Sequence, residues 1–412
     1  ASPVCNPSRA ALLTGRYPHR TGSIDTLEGR GLDRLATREV TIADAFKTAG
    51  YVTGIIGKWH LGAFDMKYHP NKRGFDEFLG FRGGWSDYYL WHLDANGKRV
   101  NADGRYLTDV FASAAVDFIN RHSHEPFFLH ITFNAPHVPL QAPLADIQPF
   151  AESGNFSFPV SVIYGMIRRM DRCVEQILET LNKCNLVENT IVVFTSDNGP
   201  QFGSELGSIQ RFNCHFNGAK GTVYEGGIRV PAIIRWPAGG MSGGRVISEM
   251  MHMTDWYPTL CAMTKTGVIE KNPLDGIDFS PVLAGCPAKL NSKRFWQWCR
   301  YRPVVFSNAA MRDGEWKLVR PGLPGYWEIT DEDLKRDIAM RYDPDSVTDI
   351  LHKPLPDIAL AEPSPPELYN LKEDPMESNN LASKYPDRVK KMLSELEKWF
   401  ESVEKDRATI TD

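Results

Sequence analysis

Apolar residues along the chain gather into short continuous runs, separated by stretches with helical spacing. The run 51–56, Tyr-Val-Thr-Gly-Ile-Ile, predicts a buried strand, and 127–133 and 190–195 predict two more. A fourth strand is expected over 230–236, where Pro231 limits how early it can pair. Between these runs, 106–121 and 164–182 repeat their apolar positions at helical period, and 386–404 reads as a final amphipathic helix. Thr41 is placed to cap a helix running through 49, with Asp44 in the capping-box position and Gly50 as the stop. Continuous apolar strands alternating with helices predict an α/β fold, a mostly parallel sheet sandwiched by helices. The texture changes after about 285. Segment 293–302 is basic and aromatic, and 321–366 is rich in Pro, Asp and Gly. We therefore expect a larger domain over 1–290 and a smaller C-terminal α+β domain over 291–412.

Composition narrows the class without naming it. The 412 residues are 42% hydrophobic and 24% charged, as in soluble globular proteins. With 47 basic and 51 acidic residues, the net charge of −4 gives no general pull toward nucleic acid or an anionic membrane. No apolar stretch is long enough to span a bilayer. The chain opens at Ala1 with no secretory leader, which predicts a processed chain or a fragment. Seven cysteines leave six beside Cys5, enough for up to three disulfides, or for isolated buried thiols. Asn155-Phe156-Ser157 is a glycosylation sequon.

The densest chemistry lies at Cys5-Asn6-Pro7-Ser8-Arg9, followed by Leu13-Thr14-Gly15-Arg16. Asn6 suits an N-cap, Pro7 the first helical position and Gly15 the stop. Cys5 would then stand at a helix N-terminus, where backbone N–H groups favour negative charge, with the cationic fork of Arg9 one turn on. In open α/β sheets ligands bind beyond the carboxyl ends of the strands. Three predicted strands end in polar residues there: Gly57-Lys58-Trp59-His60, Asn134-Ala135-Pro136-His137 and Ser196-Asp197-Asn198-Gly199. Asp197 and Asn198 offer adjacent oxygens for a hard cation, Ca²⁺ or Mg²⁺, although an Asx turn would use the same residues. His60 and His137 are candidates for proton transfer near neutrality. Lys220 stands among glycines in Gly218-Ala219-Lys220-Gly221, which let a backbone approach a ligand. His252 and Asp255, ahead of a predicted helix, are read as structural.

The Cys-x-Pro-Ser-Arg run resembles the signature of the type I, formylglycine-dependent sulfatases of the alkaline phosphatase superfamily. The likeness runs from Cys5 to the terminal helix and is of the arylsulfatase and N-acetylgalactosamine-6-sulfatase kind. It includes Gly57-Lys58-Trp59-His60-Leu61-Gly62, Arg73-Gly74-Phe75-Asp76, Ala135-Pro136-His137, Ser196-Asp197-Asn198-Gly199, Gly218-Ala219-Lys220 and Glu367-Leu368-Tyr369-Asn370-Leu371. The resemblance implies that a formylglycine-generating enzyme converts Cys5 to formylglycine, whose hydrate attacks sulfur and forms a sulfoenzyme. It implies Cys5, Asp197 and Asn198 as ligands of a divalent cation, with Asp197 also deprotonating the hydrate. Arg9 and Lys58 would stabilise the hydrate and the sulfate. His60 would hold the second hydroxyl and act as base in regeneration, and His137 and Lys220 would assist the leaving oxygen. Family members add two aspartates from a first strand, positions that would precede Ala1, so the resemblance implies weak metal binding by this chain alone. It also implies an exported protein: periplasmic, extracellular or lysosomal.

A phosphonate or phosphate ester hydrolase of the same fold, or a non-catalytic binder of sulfated glycans, would share much of this pattern. The expected substrate is a sulfated carbohydrate or a small aryl sulfate. The aromatic run 85–91 could stack on sugar rings but reads more readily as core. Segment 293–302 reads as a strand with a solvated basic face.

Overall fold

The computed structural model describes residues 2–202, 211–286, 290, 293–359 and 361–412, and these form three sheets. The first holds β1 (Val52–Lys58), β2 (Glu77–Phe81), β3 (His92–Ala95), β4 (Lys98–Asn101) and β5 (Phe127–Thr132), in the order β4-β3-β2-β1-β5. Strand β1 runs parallel to both β2 and β5, while β3 and β4 add an antiparallel edge. Strands β6 (Val192–Thr195) and β7 (Ala232–Arg235) pair antiparallel as a second sheet. Apolar runs predict strands but not their direction, which is why the sequence missed this reversal. Strands β8 (Lys293–Gln297), β9 (Ala309–Asp313), β10 (Trp316–Arg320) and β11 (Glu367–Asn370) make an antiparallel C-terminal sheet.

Two consecutive isoleucines show how the first sheet is sandwiched. Neighbouring residues of a strand point to opposite faces. Ile55 packs with Phe46, Phe78 and Tyr257 beneath the helices Cys5–Thr14, Ile42–Thr48 and Trp256–Thr264. Ile56 packs with Phe111, Phe118 and Met166 of the helices Leu107–Arg121 and Phe158–Lys183. The second of these begins six residues before its predicted start, with Pro159 in its first turn. Thr41 and Asp44 form the expected capping box. The C-terminal sheet is covered by the helix Pro386–Arg407, which buries Met392, Leu396, Trp399 and Val403 against it along one stripe.

Strand β1 runs two residues past its predicted end, and this changes where Lys58 stands. Gly57 has φ 116° and is paired with Gly80 on one side and Thr132 on the other. A Cβ at Gly57 would lie 2.1 Å from the Thr132 carbonyl oxygen, so only glycine fits. Lys58 is therefore the last residue of a strand rather than part of a loop. Gly57→Ala is expected to cost about 2–4 kcal/mol through strain and overpacking. A shift in denaturant midpoint equivalent to less than about 1 kcal/mol would show that the strand tolerates a side chain there.

Other expectations need correction. Segment 293–302 does not present a solvated basic face. Arg294 is buried against the Asp255 carboxylate at 2.9 and 3.1 Å, and Arg300 pairs with Asp25 at 2.8 Å. Of the two readings of the cysteines, the free thiols hold: Cys5, Cys173, Cys261 and Cys299 are buried, Cys184 is half-buried, and Cys214 and Cys286 are exposed. The expected domain boundary after 290 adjoins residues 291 and 292, which lie outside the described residues, as does Ala1.

Candidate active site

The helix Cys5–Thr14 starts at Cys5 itself, with Val4 as its N-cap and Gly15, at φ 69°, closing it. Asn6 is not the cap. It is buried in the first turn, where its amide donates to the carbonyl oxygens of Asp33 and His60, both at 2.8 Å. Asn6 thus ties the helix start to the chain leaving β1. That chain carries Lys58 and His60, both 2% exposed.

Cys5 is 3% exposed and is faced by Lys58, Lys220, His60 and His137. Burial alone would push its thiol up. The charges of Lys220 and Lys58, with His137 and His60 beside the sulfur, overcome this and hold it well below the usual range. Burial lowers Lys58, and the Cys5 anion opposes that shift. Burial lowers His137 too, with the Lys220 charge adding to it. The pocket is built to hold an anion.

His137 donates from Nδ1 to the carbonyl oxygen of Val138 at 2.8 Å, which leaves Nε2 as an acceptor. That atom lies 3.1 Å from Lys220 Nζ, which also donates to Gln201 Oε1 at 3.2 Å. The Lys220 loop is held by its backbone: Lys220 N–H donates to Pro200 and Gly221 N–H to Pro3, both at 2.8 Å. Asn308, just ahead of β9, donates to the Gly221 carbonyl at 2.7 Å and accepts from Val223 N–H at 3.1 Å. The C-terminal sheet therefore helps to fix a lysine of the pocket.

Arg9 bridges three elements. Its Nη1 donates to the Lys58 carbonyl at 2.8 Å and its Nε to Asp197 Oδ2 at 3.3 Å, beyond the end of β6. Asp197 and Asn198 join the group through Arg9. The Asn198 amide donates to Gly199 at 2.8 Å, while its Oδ1 is buried with no hydrogen-bond partner. An orphaned amide oxygen beside a carboxylate suits a hard cation. Among the described residues no group of three or more His, Cys, Asp or Glu side chains is placed to hold a metal.

Of the other sequence candidates, His252 and Asp255 form a reciprocal cap on the turn Met253–Asp255, a structural role. In the run 85–91, Tyr88 and Trp91 are fully buried in the core and Trp85 Nε1 donates to Asp337 at 2.8 Å. Sequence reasoning missed Glu28, Asn308 and Arg341, which support the pocket from a distance. No motif marks them, because each acts by a contact between segments far apart in the chain.

A fold and a pocket of this kind suit a protein that handles a tetrahedral oxyanion, and comparison with known proteins names the class. The sulfatase family model matches residues 1–266. Mouse (Mus musculus) arylsulfatase J is 29% identical over 424 residues, covering 96% of this chain and 68% of that protein. Dog (Canis lupus familiaris) N-acetylgalactosamine-6-sulfatase is 33% identical over 321 residues, covering 69% of this chain. The chain spans 58% of the length of that relative. The crystal structure of Ps i-CgsB in complex with k-i-k-neocarrahexaose superposes with a TM-score of 0.77 at 30% identity, covering 97% of this chain and 82% of that one. The chain belongs to the sulfatase family, whose named members are sulfuric ester hydrolases.

Proposed function

We propose that the chain hydrolyses sulfate esters at the pocket around Cys5, with a sulfated carbohydrate as substrate. The observation that carries this is the buried Cys5 ringed by Lys58, Lys220, His60 and His137, with Arg9 bracing the same group. Such a site neutralises a sulfuryl group whose charge grows in the transition state, the largest contribution in transfers of this kind. The carbohydrate is supported by the oligosaccharide bound to Ps i-CgsB and by the sugar in the name of the dog relative.

Formylglycine made from Cys5 supplies, as its hydrate, a hydroxyl able to attack sulfur. Asp197 and Asn198, with the modified Cys5, would hold a divalent cation, Ca²⁺ or Mg²⁺, which supplies positive charge near the sulfate oxygens. The remaining work falls to side chains on the page. Lys58, fixed at the end of β1, and Arg9 hold the anion and orient it. His60 takes a proton at the Cys5 side. Lys220 and His137, 3.1 Å apart, share one proton that can pass to the departing alkoxide. We read 1–290 as the catalytic domain and 291–412 as a smaller domain bracing it. On the same reading the chain is matured by a formylglycine-generating enzyme and exported, and the exposed Asn155 leaves its sequon reachable. Among the described residues no helix is long and apolar enough to cross a membrane.

The test is sulfate release from an aryl sulfate against phosphate release from the matching aryl phosphate, using protein from its natural host. We expect the sulfate ester to be strongly preferred and the Cys5 peptide to show the mass of formylglycine. Preference for the phosphate ester would assign a phosphohydrolase instead. An unmodified thiol with no turnover would leave a glycan-binding protein.

A further inference from the structure

Glu28 lies in the layer behind the pocket and has no role so far. It is 1% exposed, on the helical turn Glu28–Arg30. Its Oε2 stands 3.1 Å from Nε2 of His60, and the Thr26 carbonyl oxygen stands 3.1 Å from the same nitrogen. A carbonyl oxygen can only accept, so the bond to Thr26 requires a proton on Nε2, and Glu28 Oε2, buried with no hydrogen-bond partner of its own, stands beside that N–H as a charge. In a neutral ring the other nitrogen, Nδ1, is then the acceptor. Nδ1 is buried with no hydrogen-bond partner, and the ring stands beside the Cys5 sulfur.

Glu28 is itself clamped. Its Oε1 accepts from Gly84 N–H at 3.0 Å and from Nη2 of Arg341. Arg341 belongs to the helix Asp331–Tyr342, where Asp337 pairs with it at 3.2 Å and the Trp85 ring lies under its guanidinium. Gly84 leaves room for the arrangement: a Cβ there would sit 2.8 Å from His60 Cε1 and 3.1 Å from Glu28 Oε2. A carboxylate held on both sides and aimed at the far nitrogen of an imidazole is how outer-layer residues fix the tautomer of a working histidine.

We propose that Glu28, clamped by Arg341, is a positioning residue that holds His60 with its proton on Nε2 and its Nδ1 lone pair toward Cys5. The inference rests on the reading of Cys5 as the reacting position. Its test has two arms on the full chain. In the first, nitrogen NMR of histidine-labelled protein, with His60 assigned by its loss in His60→Ala, should show a protonated Nε2 and a bare Nδ1. The opposite tautomer in the wild-type protein would overturn the proposal, whatever the activity. In the second, Glu28→Gln should lower kcat about 10–100-fold with KM changed less than about twofold. The double variant Glu28→Gln/His60→Ala should be no slower than His60→Ala alone, because both changes remove one function. Additive losses, or a Glu28→Gln rate within about twofold of wild type, would show that Glu28 does not act through His60. Absence of sulfate release from the wild-type protein would defeat the proposed function, while the tautomer arm would still decide the place of Glu28.

Discussion

Cys5→Ala should abolish sulfate release, with kcat/KM falling at least about 10⁴-fold, the scale seen when a nucleophile is removed from an intact site. The substitution removes the reacting group from a pocket whose cations stay where they are. Lys58 is held by strand pairing, Lys220 by its loop backbone and His137 by its bond to Val138. Sulfate should therefore still bind, and inhibition constants for the free anion are expected to change far less than the rate. That contrast separates a lost nucleophile from a collapsed pocket. Turnover within about tenfold of wild type would place the nucleophile elsewhere and undo the proposed function.

Lys317→Ala should be the most destabilising single change, at about 3–5 kcal/mol. Lys317 is fully buried on β10, with its ammonium 2.8 Å from Glu225 Oε1 and 2.8 Å from Glu377 Oε1. Glu377 Oε2 also accepts from the Glu225 N–H at 2.6 Å. Burial would raise both carboxyls. At Glu225 the Lys317 charge overcomes it and holds the group below its usual range, whereas at Glu377 burial prevails and the group stays above. Removing Lys317 takes away the cation both acids share and leaves Glu225 only the longer pair with Arg229, at 3.6 Å. A neutral triple variant, Lys317→Met with Glu225→Gln and Glu377→Gln, should recover much of the loss, since an apolar or neutral replacement of a whole buried cluster is tolerated better than half of one. Urea unfolding followed by tryptophan fluorescence would measure both. A loss below about 1 kcal/mol in Lys317→Ala would mean that water reaches the cluster.

The sequence disclosed the pieces of the site better than the joints between them. Lys58, His60 and His137 were legible because strand ends converge in an α/β sheet, Lys220 because glycines flank it, and Cys5 because its helix carries a long motif. Asn6 was misread as a cap because residue type alone favours it there. Its amide is drawn instead to the carbonyls of Asp33 and His60, partners 27 and 54 positions away. Segment 293–302 was misread for the same reason. Arg294 and Arg300 look solvated until Asp255 and Asp25 arrive from distant parts of the chain. Local pattern reports periodicity and caps, whereas a buried ion pair is decided by whatever partner the fold delivers.

The reach of Asn308 and Arg341 back to the pocket has a consequence for the chain as it is made. Asn308 fixes the Lys220 loop, and Arg341 holds Glu28 against His60. Both arrive long after the residues they serve have been synthesised. A nascent chain extended past Lys220 would own every group of the pocket, yet hold two of them loosely. Competence would appear late and abruptly, once the polypeptide has left the ribosome past residue 341.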